Sequence, residues 1–152
     1  MHDRIRARLE KEGLLLPQAP TPVAAYIPAV RVGQLAFSSG QLPIKEAKLQ
    51  FTGRLTADLS VEEGYEAARL AALNALAALG GVVDLDRITK IVRVGGFVQS
   101  EPSFHDQPKV VNGASELLRS VFDEAGQHAR SAIGVAALPL DAAVEIEIVV
   151  AL

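Results

Sequence analysis

The sequence has 152 residues with a formal net charge of −3 at pH 7, and it contains neither cysteine nor tryptophan. The absence of thiols excludes disulfides, thiolate metal sites and a cysteine nucleophile. An acidic chain with few aromatic residues also offers little to attract or stack nucleic acid. The length fits one domain over residues 1–152, and without a signal-peptide core or a long apolar run we predict a cytoplasmic protein.

The first 21 residues are interpreted as an appendage to this domain. Asp3 is predicted to cap a short helix that Gly13 ends. Four prolines within residues 14–28 exclude regular helix and indicate an extended strap across the surface. Tyr26 stands near the end of this strap. Because 49% of the residues are apolar, we also expect part of the surface to contact another subunit.

Strand patterns follow the strap. Residues 29–40 predict a hairpin with its turn at Gly33. Ser38 and Ser39 end this hairpin, and turn chemistry is the simplest account of both hydroxyls. A third short strand is expected near residues 49–53, after a polar turn.

A long helix and a central strand come next. Ser60 and Glu63 form a capping box, in which each side chain binds a free backbone amide of the other residue. The alanine- and leucine-rich helix that follows ends at Gly80. Residues 88–98 are apolar on both faces and predict a central strand, in which the pair Gly95–Gly96 indicates a bulge or a close backbone approach.

A second amphipathic helix is predicted over residues 108–125. Pro108 suits its first turn, and Gly126 terminates it. Asn112 lies near the start of this helix. The spacing leaves open whether its amide is solvated or donates into a pocket.

The C-terminal segment, residues 127–152, carries the candidate reaction centre. Arg130 precedes a strand of small and β-branched residues, and a second strand places Glu145 and Glu147 on one face. A turn at residues 138–141 is expected to join the two strands as a hairpin, which would bring Arg130 and a glutamate into one region. A salt bridge or an exposed polar face explains this pattern as well as a binding site does. The complete order of elements predicts an α+β fold with two helices on one face of a mixed sheet.

Other chemistry has little support in the sequence. His2, His105 and His128 stand far apart without metal-binding spacing, and no glycine-rich phosphate loop occurs, so no metal or cofactor is predicted. Asp84 and Asp86 are close enough for paired acid–base work. We interpret them instead as solvated loop residues.

Three ordered sequence blocks resemble the RidA/YjgF family, also labelled endoribonuclease L-PSP. The blocks are FSSGQLP at residues 37–43, VNGASELL at 111–118, and HARSAIGVAALP at 128–139 followed by VEIE at 144–147. The resemblance covers roughly residues 22–152, and the length and the N-terminal helix resemble a less characterised branch of the family. It implies a chorismate-mutase-like fold assembled as a homotrimer, with pockets at the subunit clefts.

The resemblance also implies a chemistry. Well-studied members hydrolyse reactive 2-imino or 2-enamino acids to 2-oxo acids and ammonia without a cofactor. Arg130 matches the position that binds the substrate carboxylate, and Glu145 matches the glutamate that orients the water. The other matched pocket positions are Tyr26, Ser39 and Asn112.

One matched position departs from the family pattern. Ala132 stands two residues after the arginine, where many relatives have cysteine, so only its backbone N–H is available there. Three functions remain as hypotheses: an imine or enamine deaminase, a non-catalytic trimeric module that binds small carboxylates, and a ribonuclease. The acidic charge and the scarcity of aromatic residues argue against the ribonuclease.

Overall fold

The structure is a computed structural model that describes residues 1–21 and 25–152, so Pro22 of the predicted strap lies outside the described residues. Four short strands follow the first helix, and a fifth, longer strand then lies between the two longer helices. Their bounds are α1 Asp3–Lys11, β1 Ala29–Val32, β2 Leu35–Ser38, β3 Ile44–Lys45, β4 Lys48–Leu49, α2 Val61–Gly80, β5 Lys90–Gln99, α3 Gln107–Phe122, β6 Ala129–Val135 and β7 Val144–Ala151.

A five-stranded mixed sheet, in the order β1-β2-β7-β5-β6, forms the centre of the fold. β5 pairs antiparallel with β7 and parallel with β6. Every second residue of β7 from Val144 to Val150 is fully buried and joins the apolar residues of α2 and α3 in one core, whereas Glu145 and Glu147 on the opposite face are only partly buried. The predicted α+β class with helices packed on one face of a mixed sheet is confirmed.

The predicted C-terminal hairpin is wrong. β6 and β7 are not neighbours, because β5 lies between them. The connection from β5 through α3 to β6 is a strand–helix–strand unit, and such a unit favours parallel pairing of its two strands. The apolar turn at residues 138–141 therefore carries the chain across the end of β5 instead of closing a hairpin. Arg130 and the two glutamates are separated as a result.

β5 is the central strand that the sequence predicts, but its irregularity lies elsewhere than at the glycines. The register shift occurs between Ile91 and Arg93. Gly95 and Gly96 instead allow close approach. A Cβ atom on Gly96 would lie 2.5 Å from the Val111 side chain of α3, so this glycine lets α3 pack tightly on the sheet.

The remaining strands and helices follow the sequence patterns closely. β1 and β2 form a hairpin that turns at Gly33, where φ is 60°. α2 begins with the complete capping box of Ser60 and Glu63. In place of the third short strand predicted near residues 49–53, a small separate hairpin of β3 and β4 occurs slightly earlier in the chain. Helix α3 ends at Phe122 and is followed by a 3₁₀ turn. None of the described helices combines the length and the apolar character needed to cross a membrane.

The N-terminal helix α1 corrects two expectations. Asp3 is its first residue and not its cap; the Asp86 carboxylate accepts the N–H groups of Arg4 and Ile5, each at 3.0 Å. Asp84 also contributes, because it accepts a backbone N–H from the residue ahead of the helix at 3.0 Å. The two aspartates are therefore structural contacts for α1 and are not merely solvated.

Candidate active site

Arg130 lies near the start of the edge strand β6, and its guanidinium packs against α3. Nη1 donates to Asn112 Oδ1 at 2.8 Å and to Ser115 Oγ at 3.1 Å, and Nη2 donates to the Pro108 carbonyl at 3.3 Å. All three acceptors are uncharged. A guanidinium has five N–H donors. Within the described residues these three bonds leave two donors for a ligand, which is the number that a carboxylate accepts from arginine in a bidentate pair.

Arg130 has no carboxylate partner within 4.0 Å among residues 1–21 and 25–152, where the ion pairs involve other residues. Arg130 lies opposite Val94 of β5. Glu147 lies opposite the next residue of β5, Gly95, and Glu145 lies opposite Phe97, two residues further along. Side chains alternate between the faces of a sheet, so Arg130 and both glutamates point to opposite faces. A salt bridge between Arg130 and either glutamate of the same chain is excluded.

Ala132 lies beside Arg130 on the same face of β6, and its methyl group packs on the core. The carbonyl of Val135 accepts the N–H of Ser100, the residue that follows β5, at 3.3 Å. In a parallel ladder every second residue directs both backbone groups to the neighbouring strand. On β6, the backbone groups that point to β5 are therefore those of Ser131, Ile133 and Val135. The N–H groups of Arg130 and Ala132 point to the free edge of the sheet.

His128 and Ser115 form further hydrogen bonds beside Arg130. His128 Nδ1 lies 2.6 Å from the Gly126 carbonyl, which can only accept, so Nδ1 carries the proton. Nε2 lies 2.8 Å from Ser115 Oγ. Burial lowers the pKa of His128, and the charge of Arg130 acts in the same direction, so the imidazole is neutral at pH 7. Neutral Nε2 accepts the Ser115 hydroxyl proton, and Ser115 Oγ accepts from Arg130.

Glu145 lies on the other face of the sheet beside Gly40. A Cβ atom on Gly40 would lie 1.9 Å from Glu145 Oε1, so only glycine allows the backbone to pass so close to this carboxylate. Burial raises the pKa of Glu145, and the charge of Glu147 adds to the effect. The flanking residues Ser39 and Gln41 both use their N–H groups in backbone hydrogen bonds, whereas the described residues provide no acceptor for the Gly40 N–H.

Ser39 and Tyr26 lie at the junction of the strap and the sheet. The Ser39 hydroxyl donates to the Ile27 carbonyl at 2.7 Å, and the Ser39 N–H donates to the Pro28 carbonyl at 2.7 Å. Ser39 therefore holds the end of the strap beside Gly40. Tyr26 precedes this contact directly, and 57% of its surface is exposed.

Together with three residues that were not predicted from the sequence, the predicted site residues other than Tyr26 fall into two groups. The arginine half consists of Asn112, Ser115, His128, Arg130 and Ala132, and the glutamate half consists of Ser39, Gly40 and Glu145. The arginine half borders an open depression of about 390 Å³. The sequence analysis missed Ser115, His128 and Gly40 as site residues. The three-residue spacing of Asn112 and Ser115 on one helix face, and the position of His128 two residues before Arg130, are the signals that were available.

This geometry defines a class of protein. Its members are α+β chains with a mixed five-stranded sheet, two helices on one face of the sheet and polar clusters on both faces. Residues 6–152 match the family model described as YjgF/chorismate mutase-like, putative endoribonuclease, and the chain belongs to this family. The sequence resemblance to the RidA/YjgF family is confirmed.

Named relatives cover nearly the whole chain. Protein TCP17 of Trypanosoma cruzi is 46% identical over 98% of this chain and 94% of its own length. A 2-iminobutanoate/2-iminopropanoate deaminase of Dermatophagoides farinae is 30% identical over 88% of this chain and 91% of its own. The crystal structure of protein Atu1372 from Agrobacterium tumefaciens, described as having unknown function, has a TM-score of 0.93 at 40% identity and covers 99% of this chain and 94% of that one.

The partial burial of the Glu145 carboxylate leads us to a prediction about stability. A carboxyl whose pKa is raised by folding stabilises the fold at low pH and loses that contribution as the pH rises through the raised pKa. At pH 7 the ionised group carries the desolvation cost, so Glu145→Gln should raise the thermal midpoint. The gain should shrink on acidification, as the wild-type carboxyl becomes protonated.

Thermal unfolding at pH 7 and at progressively lower pH measures this effect. Glu147→Gln is the matched control, because it relieves the mutual repulsion of the two glutamates and leaves the desolvation of Glu145 in place. A lower midpoint for Glu145→Gln at pH 7, or an equal gain for both variants, would contradict the assignment.

Proposed function

We propose that this protein is a cofactor-independent hydrolase that converts reactive 2-imino and 2-enamino acids to 2-oxo acids and ammonia. The observation that carries the proposal is the state of Arg130, a partly buried cation whose three described hydrogen-bond partners are neutral. Burying a charge without a counter-charge is costly. A small carboxylate ligand would supply the counter-charge and take the two remaining N–H donors.

The name of one relative supports the same substrate class. The Dermatophagoides farinae protein is named as a deaminase of 2-iminobutanoate and 2-iminopropanoate, and both molecules carry a carboxylate next to an imine carbon. Bidentate binding of that carboxylate to Arg130 would fix the position of the adjacent carbon. The N–H groups of Ala132 and Gly40 are further donors for the carboxylate or for the attacking water.

Glu145 is proposed to carry the proton transfers. Its carboxylate accepts a proton from a water molecule while the water oxygen bonds to the carbon of the protonated imine, and the neutral tetrahedral carbinolamine forms. The protonated Glu145 then returns that proton to the amino nitrogen. As the C–N bond breaks and ammonia leaves, the hydroxyl proton passes back to the Glu145 carboxylate and the C=O bond forms. Burial raises the pKa of Glu145, so its carboxylate is a stronger proton acceptor than an ordinary glutamate and can still return the proton.

The separation of the two halves implies a shared pocket. Arg130 and Glu145 of one chain face opposite sides of the sheet, so we propose that Arg130 of one copy meets Glu145 of a neighbouring copy in a homotrimer. Each contact between copies joins two different surfaces, and a closed ring uses every such contact. The sheet face that carries Glu145 also exposes apolar side chains that an assembly would cover, with 43% of Val30, 37% of Phe37 and 46% of Ile133 accessible.

A non-catalytic carboxylate-binding module is the alternative. The arginine half alone provides the features that hold a carboxylate, and Ala132 lacks the thiol of many relatives. Under this alternative the protein binds 2-oxo acids but does not accelerate their formation from imines. Turnover separates the two functions.

The first functional prediction concerns turnover. An amino-acid oxidase or threonine dehydratase generates imino acids, and the release of 2-oxo acid is followed with and without the protein. We expect acceleration by the wild type, and a loss on the order of 10²–10⁴-fold in Glu145→Gln, the usual contribution of a general acid–base. Glu147→Gln should retain activity. Binding of 2-oxo acids without any acceleration would establish the module instead.

The second functional prediction concerns the carboxylate. Arg130→Lys keeps the charge but loses the two-pronged geometry, so both Arg130→Lys and Arg130→Ala should weaken the binding of a 2-oxo acid by roughly 1.5–3 kcal/mol. Titration calorimetry with pyruvate measures the affinity, and thermal unfolding of the same variants reports stability. Unchanged affinity together with a large fall in the thermal midpoint would identify Arg130 as a structural residue.

The third functional prediction tests the shared pocket. Arg130→Ala and Glu145→Gln are each expected to lose most of their activity at limiting substrate, but a mixed assembly contains pockets that combine the native Arg130 of one variant with the native Glu145 of the other. Equal random mixing should restore about a quarter of the wild-type activity. If both residues of a pocket come from the same chain, mixing restores nothing.

Light scattering of the wild type at micromolar concentration accompanies this mixing experiment. A trimeric mass is expected. A monomeric mass would contradict both the assembly and the shared pocket, whatever the mixed sample shows.

A further inference from the structure

His128 and Ser115 form a hydrogen-bonded chain that ends on Arg130, and neither residue belongs to the site predicted from the sequence. The Gly126 carbonyl accepts from His128 Nδ1 at 2.6 Å, His128 Nε2 accepts from the Ser115 hydroxyl at 2.8 Å, and Ser115 Oγ accepts from Arg130 Nη1 at 3.1 Å. Every step has a definite direction, because the carbonyl at one end can only accept and the guanidinium at the other can only donate.

This series of hydrogen bonds restricts the orientation of the Arg130 guanidinium. Nη1 has two hydrogens, and its two acceptors are Ser115 Oγ and Asn112 Oδ1. A serine hydroxyl alone rotates freely, but the acceptor at His128 Nε2 fixes the hydroxyl proton and turns the Ser115 lone pairs toward Arg130. The guanidinium plane is then set by these two acceptors together with the Pro108 carbonyl, all on α3, and its remaining N–H groups have a fixed direction.

We infer that His128 is a positioning residue for the carboxylate-binding arginine, acting through Ser115. The inference rests on the proposed function insofar as Arg130 binds a substrate carboxylate. It assigns to His128 no proton transfer to substrate. Its effect is to reduce the freedom that Arg130 loses when a carboxylate binds, which is the effect of preorganisation on affinity.

Two substitutions of His128 separate its two hydrogen bonds. In His128→Gln the terminal carbonyl reaches the position of Nε2 and can accept from Ser115, whereas the bond to Gly126 is lost. In His128→Asn the amide reaches the position of Nδ1 and can donate to Gly126, whereas the bond to Ser115 is lost. Ser115→Ala removes the link directly, and Ser120→Ala on the same helix is its control, because the Ser120 hydroxyl donates to the Leu117 carbonyl instead.

The affinity for pyruvate and the steady-state constants of imine hydrolysis are measured for these four variants. We expect Ser115→Ala and His128→Asn to raise Kd and KM about five- to tenfold, the effect of one lost hydrogen bond. Their kcat should change less, since the carboxylate is held alike in the ground state and the transition state. His128→Gln should restore most of the affinity, and Ser120→Ala should leave it unchanged.

The opposite pattern would overturn the inference. Wild-type Kd and KM in Ser115→Ala and His128→Asn would mean that Arg130 needs no such support. Equal losses in His128→Gln and His128→Asn would show that the ring acts by packing. A fall in thermal midpoint and kcat at constant KM would indicate a structural role only.

A spectroscopic measurement tests the inference independently of the proposed function. Nitrogen-15 NMR of the Arg130 side chain should show restricted rotation of the guanidinium in the wild type and in His128→Gln, and faster rotation in Ser115→Ala and His128→Asn. Equal rotation in all four proteins would overturn the positioning role. If the wild type neither binds pyruvate nor hydrolyses imines, the proposed function fails, while the rotation rates still decide whether His128 orients Arg130.

Discussion

Arg130 is a cation on an edge strand with no carboxylate within 4.0 Å among the described residues, and the proposed function depends on this placement. Arg130 stands on β6, which is joined to the rest of the sheet only through β5. Its positive charge is partly buried against three neutral oxygens, all from α3. These oxygens orient the guanidinium without neutralising it. The fold therefore maintains a directed positive charge at its margin, and a small anion is the simplest partner for such a charge.

The glutamate half shows the opposite electrostatic arrangement. Glu145 is a carboxylate that folding makes harder to ionise, and the backbone at Gly40 approaches it more closely than any residue with a side chain would allow. Close approach of the chain excludes water from one side of the carboxylate. One sheet face thus presents a site that attracts an anion, and the other presents a group suited to exchanging a proton. Neither half has both properties, so the chemistry proposed for this family member requires two copies.

The sequence predicts local elements well because short-range rules determine them. The capping box at Ser60 begins α2, Gly33 turns the first hairpin, and the alternation in β7 assigns Glu145 to the face opposite the core. Strand pairing is the part that the sequence pattern predicts incorrectly. Two consecutive strands joined by a short turn suggest a hairpin, but the pairing of β6 depends on how α3 crosses the sheet, and α3 approaches closely only because Gly96 has no side chain.

The candidate site could likewise be predicted from the sequence only in its local features. Family resemblance predicts Arg130, Glu145 and Asn112 as site residues by position, but local spacing does not reveal that Arg130 and Glu145 occupy opposite faces of the sheet. Ser115 and His128 stand at suggestive spacings from Asn112 and Arg130, but their hydrogen bonds form between α3 and the residues at the start of β6, and periodicity within one element does not encode such contacts. The same holds for Asp84 and Asp86, whose partners lie more than eighty residues earlier in the chain.

Those aspartate contacts have a consequence for the order of folding. α1 has nine residues, too few for a stable helix in isolation. Its cap comes from Asp86, and its buried residues Ile5 and Leu9 pack on the completed core. Contacts between such distant parts of a chain form only after the intervening segments have been ordered. We therefore expect the N-terminal helix to be the last element to dock and the first to detach, and to open while Arg130 and Glu145 keep their positions on the sheet.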